Sequence, residues 1–466
     1  MRAYHVTIDP FEFTDLLRCD IYRAVNEHAT ARISGYIPRE KEDLYMRMSF
    51  GDIEAAIRVQ DDTGKEMVIF YGIVQNISIN STNSQKRLDL DLISASYLMD
   101  NREHTRTFQN AAMTYDSVLE QIGSTYDNYG VILTAGSENA IKDLIVQYRE
   151  TDWEFAKRLA SHFNSVLIPA SFVKGTKYYF GLPGLQENTI YHTDEYTMSK
   201  SMGEYLNKTE NEVGIGEYDA LYCQVEEREI YELAQRVSFM GNELYVFEIR
   251  SEMKGNELVH QYALKTRNGF NTQKIYNAKI TGTSLAGRII EVKQDIVKVH
   301  VSVDEKQDNG TAKWFSYSTA YSSPDGTGWY CMPEINDSVR LYFPNEKETE
   351  GYVISATHLE AGEQDRSNPD HKSLKSKYGK EVLFTPNSMI LTNNAGMYIE
   401  ILDNEGINIV SNKRINIISD EAVAIVSTTS ELQVVAPDEI VLEQSFTKVV
   451  LQDNVVMSGP QLVVQK

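Results

Sequence analysis

The stretch that decides the fold class runs from Gly406 to Ser427 and reads GINIVSNKRINIISDEAVAIVS. Pairs of β-branched residues recur in it every eight positions, and turn-forming residues such as Ser-Asn and Ser-Asp separate the pairs. Within each pair the spacing is apolar-x-apolar, which is the alternation of a strand with one buried face. The stretch therefore predicts one short strand and one sharp turn for every eight residues.

The same register extends in both directions, and it predicts a stripe of inward-facing side chains. The stripe consists of Ile399, Ile401, Ile407, Ile409, Ile415, Ile417, Val423, Ile425, Leu432, Val434, Ile440 and Leu442. One block spans about 25 Å of strand, which is one side of a β-helix, whereas repeats of 20 or more residues close a coil within one chain. Three arrangements remain open: three successive blocks form one coil, three chains each supply one side, or the strands form an antiparallel meander in a sandwich.

Composition restricts the class of partner and the compartment. The chain has 466 residues, enough for two to four domains, and a formal net charge of −22. This acidity argues against a nucleic acid or an anionic membrane surface as partner. The cysteines Cys19, Cys223 and Cys331 are too scattered for a disulfide framework or a zinc site, which favours synthesis in a reducing cytoplasm. We expect no signal peptide and no membrane span, because neither apolar pattern occurs in the sequence.

Pattern changes along the chain predict four regions and a mainly β fold. Residues 1–276 alternate strongly and predict two β-barrels with a helical insert at about 107–165, where Thr151 and Glu154 form a capping box. Residues 277–359 hold five or so strands, as expected for a small barrel of the oligonucleotide/oligosaccharide-binding (OB) type. Residues 360–379 are polar and predict a linker. Residues 380–466 carry the eight-residue repeat.

A search of the sequence for catalytic patterns yields no candidate site. The motifs HExxH, GxSxG, GxGxxG and the P-loop do not occur, and the nine histidines are dispersed. We expect the acidic cluster at 226–229 to be a solvated strand or turn. Trp314 and Trp329 could stack on a base or a sugar, but the acidic chain favours barrel core and interchain packing for both. We therefore predict no enzyme, no cofactor and no metal site.

Three segments, in chain order, resemble the VgrG-type spike proteins of type VI secretion systems, contractile phage tails and related extracellular injection particles. They are VQYRETDWEFAKRLASHF at 146–163, WFSYSTAYSSPDGTGWYCMPEINDSVRLYF at 314–343 and KYGKEVLFTPNSMILTNNAGMYIEILDNEGINI at 377–409. The resemblance implies a tail-hub-like domain at 1–276, an OB-fold neck at 277–359 and a needle at 380–466. It also implies a homotrimer whose needle is a triple-stranded β-helix, which favours the three-chain arrangement.

One position departs from the family pattern. Asn336 stands where members of the family often carry glycine in a turn. Asparagine replaces glycine best at a left-handed backbone position, so we expect the turn to be kept.

The resemblance implies a structural role in a contractile injection machine. The trimer would cap the inner tube protein, seat on baseplate proteins and puncture the target envelope, so that it meets a membrane only by puncture and binds no nucleic acid. It would assemble in the cytoplasm as part of a phage tail-like particle and leave the cell on firing, with a tip protein or effectors as cargo. A β-helical polysaccharide-degrading enzyme and a trimeric receptor-binding tail fibre are the alternatives. The kind of machine, the target cell and the cargo are not encoded in these patterns.

The end of the needle carries a separate expectation. Some phage spikes of this family finish in an iron-bound apex made from a His-x-His pair of each chain, but the last histidine here is His371. We therefore expect a blunt end. Leu462, Val463 and Val464 are predicted to dock a separate cap of the PAAR-repeat type, which would supply the point.

Overall fold

The computed structural model describes residues 5–48, 53–61, 63–83, 85–190, 195–255, 257–359, 366–451, 461 and 463. The chain divides into two compact units, residues 1–359 and residues 360–466. The fold is mainly β with few helices, as the sequence predicts.

The first unit contains 22 strands and four α-helices in its described residues. Its strands are β1 (His5–Asp9), β2 (Asp15–Ala24), β3 (Thr30–Tyr36), β4 (Glu54–Gln60), β5 (Glu66–Thr82), β6 (Gln85–Ile93), β7 (Glu103–Phe108), β8 (Gly130–Leu133), β9 (Ile145–Thr151), β10 (Leu167–Pro169), β11 (Lys177–Phe180), β12 (Asn188–Thr189), β13 (Tyr196–Lys200), β14 (Leu221–Glu227), β15 (Arg236–Phe239), β16 (Asn242–Lys254), β17 (Glu257–Lys265), β18 (Ser284–Lys293), β19 (Ile296–Val301), β20 (Trp314–Ser316), β21 (Ser338–Tyr342) and β22 (Tyr352–Thr357). Its helices are α1 (Glu42–Met48), α2 (Tyr115–Gly123), α3 (Asp152–Ser161) and α4 (Met202–Glu210).

One large sheet organises the N-terminal part of this unit. Its main path runs β1-β4-β5-β6-β3-β2-β16-β17-β14-β13, and β15 joins it beside β16. Antiparallel pairing of β2 with β16 connects the two halves. Each half has its own hydrophobic core, one around Ile33 and Phe70 and the other around Val246 and Tyr262. Each core is formed by alternate apolar side chains of the strands in its half, because alternate residues of a strand share a face.

The helical segment begins with the capping box that the sequence predicts. The Thr151 hydroxyl accepts from the backbone N–H of Glu154 at 3.1 Å, and the Glu154 carboxylate accepts from the N–H of Thr151 at 3.1 Å. Two free amides of the first turn of α3 are thereby satisfied. The predicted apolar face of α3, which includes Phe155 and Leu159, is fully buried.

A five-stranded antiparallel sheet with the order β20-β19-β18-β21-β22 follows. A bridge between Tyr317 and Val353 connects its two outer strands, and the N–H of Ser318 donates to the Val353 carbonyl at 2.8 Å. The sheet therefore curls into a small barrel around buried Ile289 and Leu341. Asn336 has a φ of +75°, the left-handed conformation expected for it.

The second unit consists of short antiparallel strands. They are β23 (Lys372–Lys375), β24 (Glu381–Phe384), β25 (Ser388–Thr392), β26 (Met397–Leu402), β27 (Gly406–Ser411), β28 (Ile440–Gln444) and β29 (Thr447–Leu451). The first five form a meander, and β28 and β29 form a separate hairpin. Strand β23 lies inside the range predicted as linker. Residues 412–439, which carry the repeat, contain no strand in this single chain, because a strand exists only where a neighbouring strand pairs with it.

A buried histidine gives the first unit a predictable response to acid. His260 on β17 is fully buried, with its Nδ1 2.7 Å from the Ser251 hydroxyl. Burial, helped by the charge of Arg23, lowers the pKa of His260 to about 3. The unfolded chain takes up this proton near pH 6.5. The contribution of His260 to the free energy of unfolding is therefore fully present above pH 6.5. It is lost as the pH drops towards 3, by up to about 1.4 kcal/mol per pH unit.

We expect His260→Gln, which keeps a hydrogen-bonding side chain that does not titrate, to flatten this acid limb. The measurement is the urea midpoint of unfolding at a series of pH values between 7 and 3. Part of the slope should remain, because burial and the charges of Arg158 and Lys274 lower the pKa of His162 to about 3 as well. His371→Gln, at an exposed position, is the matched control. Parallel acid limbs for His260→Gln and the unmodified chain would contradict the assignment.

Candidate functional site

The structure offers two candidate functional features, an apolar face of the second unit and a buried ionic cluster in the first. Within the described ranges, no three His, Cys, Asp or Glu side chains come together as a metal-binding group. None of the helices in that part of the chain combines the length and apolar character that a membrane crossing requires. The acidic cluster at 226–229 is paired at the surface, with Glu226 accepting from Lys254 at 2.8 Å and Arg228 contacting Glu257 at 2.9 Å.

The apolar face of the second unit is built from two ladders of side chains that cross the meander. Register places Leu374, Val382, Leu391, Ile399 and Ile409 opposite one another on successive strands. A second ladder runs through Phe384, Met389, Ile401 and Ile407. Because alternate residues of a strand share a face, both ladders lie on the same side of the sheet. We call this side the apolar face.

The structure therefore brings four of the predicted stripe residues together and leaves others apart. Ile399 and Ile401 on β26 oppose Ile409 and Ile407 on β27. The pairs at 415 and 417, 423 and 425, and 432 and 434 lie in the segment without strands, and those at 440 and 442 lie on β28. Of the three residues predicted to dock a cap, Leu462 and Val464 lie outside the described residues, whereas Val463 is described and exposed.

The whole stripe is exposed to solvent in the single chain. Apart from half-buried Ile440, its residues expose between 41 % and 71 % of their surface. Apolar side chains exposed in such number on a folded chain mark a candidate interaction surface.

The buried ionic cluster surrounds Arg158 on α3. The Arg158 Nε and one terminal nitrogen contact both carboxylate oxygens of Glu150 at 2.7 and 2.9 Å, and the other terminal nitrogen contacts Glu348 at 2.8 Å. The Val146 carbonyl accepts a fourth bond at 2.7 Å. All three charged side chains are buried. Burial alone would lower the pKa of Arg158, but the carboxylates of Glu348 and Glu150 outweigh it and raise that pKa.

Glu348 belongs to the five-stranded barrel and Glu150 to β9, so the cluster ties two parts of the first unit together. Burial raises the pKa of Glu348, opposed by the charge of Arg158. Two apolar residues from outside the barrel strands, Leu144 and Val146, complete the hydrophobic core of the barrel. We call this contact region the barrel junction.

Further hydrogen bonds reinforce the barrel junction away from the ionic cluster. The Gln109 amide donates to the Val299 carbonyl at 3.1 Å, and the N–H of Thr107 donates to Asp304 at 2.9 Å. Sequence reasoning missed the junction, because its partners are up to 202 residues apart and no local pattern links them. The only local signal is a charged residue, Arg158, within an otherwise apolar helix face.

Two family models match the chain. The model described as phage tail baseplate hub (GPD) matches residues 48–163, and the type VI secretion system/phage-baseplate injector OB domain matches residues 286–358. A search of the curated proteins finds no match.

Solved structures reproduce the fold at low sequence identity. The E. coli c3393 protein, described as a component of the type VI secretion system, has a TM-score of 0.53 and 11% identity, covering 75% of this chain and 99% of that one. A half-lidded Francisella PdpA-VgrG complex has a TM-score of 0.55 and 10% identity, covering 88% of each chain. A lidless PdpA-VgrG complex has a TM-score of 0.56 and 9% identity, covering 88% and 98%. The chain has the fold of a VgrG-type hub-spike protein.

The barrel junction lies between the two regions that the family models match. Arg158 and Glu150 fall in the region matched by the hub model, and Glu348 falls in the region matched by the OB model. The ionic cluster therefore joins the region matched by the hub model to the region matched by the OB model. The matched models and structures are described as tail, baseplate and type VI secretion proteins.

Proposed function

We propose that this chain is one subunit of a homotrimeric hub-spike whose C-terminal region forms a triple-stranded β-helix. The observation that carries the proposal is the stripe of exposed Ile, Val and Leu side chains that recurs every eight residues. Three chains that turn this stripe inwards would remove the apolar surface from water, at roughly 25 cal/mol per Å². Cyclic symmetry allows three identical stripes to meet on one axis.

The segment 412–439 supports an arrangement in which strands pair between chains. It continues the repeat of the apolar face, but it pairs as a strand with none of the described residues of its own chain. Neighbouring copies would supply those partners and satisfy the free backbone N–H and C=O groups. A needle built in this way has no lateral strand edge, and it is stiff because every strand is hydrogen-bonded on both sides.

The proposed action is mechanical. The hub caps the inner tube and seats on the baseplate, the barrel junction carries axial force from hub to neck, and the needle punctures the target envelope. A separate PAAR-like tip protein would dock at Leu462, Val463 and Val464. Effectors are further candidate partners, since the related Francisella spike is in complex with PdpA. Assembly would take place in the cytoplasm, before the particle is fired.

The deciding experiment is the mass of the purified chain by light scattering. A homotrimer has three times the 53.0 kDa of one chain. A monomer would overturn the proposal and favour the β-helical polysaccharide-degrading enzyme. A trimer that fails to cap purified inner tubes in electron micrographs would instead favour a receptor-binding tail fibre.

A further inference from the structure

A hairpin on the OB neck carries exposed aromatic side chains that the spike function does not use. It lies between β20 and β21, where Ser322 and Gly328 form an antiparallel bridge. The N–H of Trp329 donates to the Tyr321 carbonyl at 2.8 Å, so these two residues sit opposite each other on its arms. Trp329 is 63 % exposed and Tyr330 is 76 % exposed. Of the two places expected for Trp329, the barrel core and interchain packing, this exposure contradicts the barrel core.

The hairpin is held in a defined shape. At its tip, the N–H of Ser323 donates to the Thr327 carbonyl at 2.8 Å, and the Asp325 carboxylate accepts from the Thr327 hydroxyl at 2.7 Å. At its base, the Tyr330 hydroxyl donates to the Gln294 carbonyl at 3.0 Å. Because the hairpin backbone and the Tyr330 ring are held before binding, little conformational entropy is lost in ordering them when a ligand arrives.

The position of the hairpin on the barrel indicates a ligand class. Gln294 lies in the turn between β18 and β19, the first and second strands of the barrel. In OB folds this first loop, together with the second and third strands, binds oligonucleotides or oligosaccharides. Half-buried Trp314 lies on the third strand, where the Lys298 ammonium approaches its ring centroid to 4.7 Å. Aromatic groups thus occupy both the loop end and the strand face used by ligand-binding OB barrels.

Local charge selects between the two ligand classes. From Ser316 to Tyr330 the chain has one charged residue, Asp325, and five serines and threonines that follow Tyr317. An oligonucleotide needs cations along its phosphates, but residues 316–330 include no cation, and the ammonium of Lys298 at Trp314 is already paired with Glu291 at 2.9 Å. A neutral sugar needs aromatic faces for its C–H groups and hydroxyls or a carboxylate for its own hydroxyls. The hairpin presents both.

We propose that the hairpin at 321–330 binds a neutral oligosaccharide, with a sugar ring stacked on Trp329 and with Tyr321 and Tyr330 beside it. This goes beyond the proposed spike function, because a needle can puncture an envelope without holding a glycan. Binding at the neck would retain the spike at the polysaccharide that it has crossed.

Tryptophan emission tests the proposal on the full chain. Trp153 is buried and Trp314 is half-buried, so the exposed Trp329 is the tryptophan that a ligand can cover. We expect a saturable shift of emission to shorter wavelength when chitohexaose, cellohexaose or laminarihexaose is added at millimolar concentration. Trp329→Ala removes this reporter, so its binding is measured by isothermal titration calorimetry and should be weaker by about tenfold or more, as after loss of an aromatic stack. Trp314→Phe should retain most of it.

Two results would overturn the proposal. One is the absence of a saturable shift with all three neutral hexasaccharides. The other is a lower oligomeric mass for Trp329→Ala in light scattering, which would make the hairpin an interface between copies of this chain. A heparin fragment is the charge control and should not bind. Failure of the trimer itself is measured separately by the mass of the unmodified chain, so the two proposals stand or fall independently.

Discussion

Replacing Arg158 by methionine should destabilise the hub and neck by about 3–5 kcal/mol, the effect of removing one partner from a buried ion pair. The change leaves the carboxylates of Glu150 and Glu348 buried without the cation that both now contact at 2.7 to 2.9 Å. It also leaves the Val146 carbonyl without its guanidinium donor. Because these contacts join two regions of the first unit, we expect the hub and the neck to loosen together.

The measurement is thermal and urea unfolding followed by circular dichroism and by tryptophan emission, to which buried Trp153 contributes. Burial already raises the pKa of Glu348 against the opposing charge of Arg158, and in Arg158→Met that opposition is gone, so the pKa of Glu348 should rise further. A raised carboxyl pKa contributes stability that is present at low pH and lost as the pH rises. The deficit of the variant should therefore be smaller at pH 5 than at pH 7.

Two further variants test whether the effect is ionic. The triple variant Arg158→Met/Glu150→Gln/Glu348→Gln leaves no charged group in the ionic cluster. Most of the stability that Arg158→Met loses should therefore return. Arg236→Met removes a half-exposed arginine that contacts Glu187 at 2.5 Å and Glu243 at 3.3 Å, and should cost less than about 1 kcal/mol. Equal midpoints for Arg158→Met and the unmodified chain would show that the cluster does not hold the junction.

Replacing Ile417 by aspartate should abolish a stable trimer. In the proposed needle, residue 417 of each chain points to the shared axis, so the change brings three carboxylates into one apolar core. Each buried, unpaired charge costs several kcal/mol. The neighbouring Ile418→Asp is the matched control, since the repeat places Ile418 on the outside and the same chemical change there should be nearly neutral.

Light scattering and thermal unfolding of the two variants decide the register. In the single chain Ile417 and Ile418 are both exposed, at 71 % and 88 %, so any difference between the variants must come from association. We expect Ile417→Asp to run as a smaller species or to melt at lower temperature, while Ile418→Asp keeps the trimer mass. Indistinguishable behaviour would exclude the inward position of Ile417.

The sequence by itself determined those features that depend on neighbours along the chain. The Thr151 and Glu154 capping box is confirmed, because its two hydrogen bonds span three residues. The left-handed backbone at Asn336 is confirmed, because it reflects the side chain of one residue. The mainly β fold and the small OB barrel are confirmed as well, because strand alternation is a property of short segments.

Tertiary structure alone decided what becomes buried and what pairs with what. Arg158 and Glu348 are 190 residues apart, and no local sequence pattern predicts that the two side chains are buried together. Trp329 has a large apolar side chain of the kind expected in a core, but it lies exposed on the hairpin at 321–330. The repeat at 412–439 predicts strands, yet strands require partners, and the described residues of the single chain provide none there. Periodicity fixes which side chains share a face, whereas desolvation and hydrogen-bond pairing depend on whatever the rest of the chain, or another chain, brings against that face.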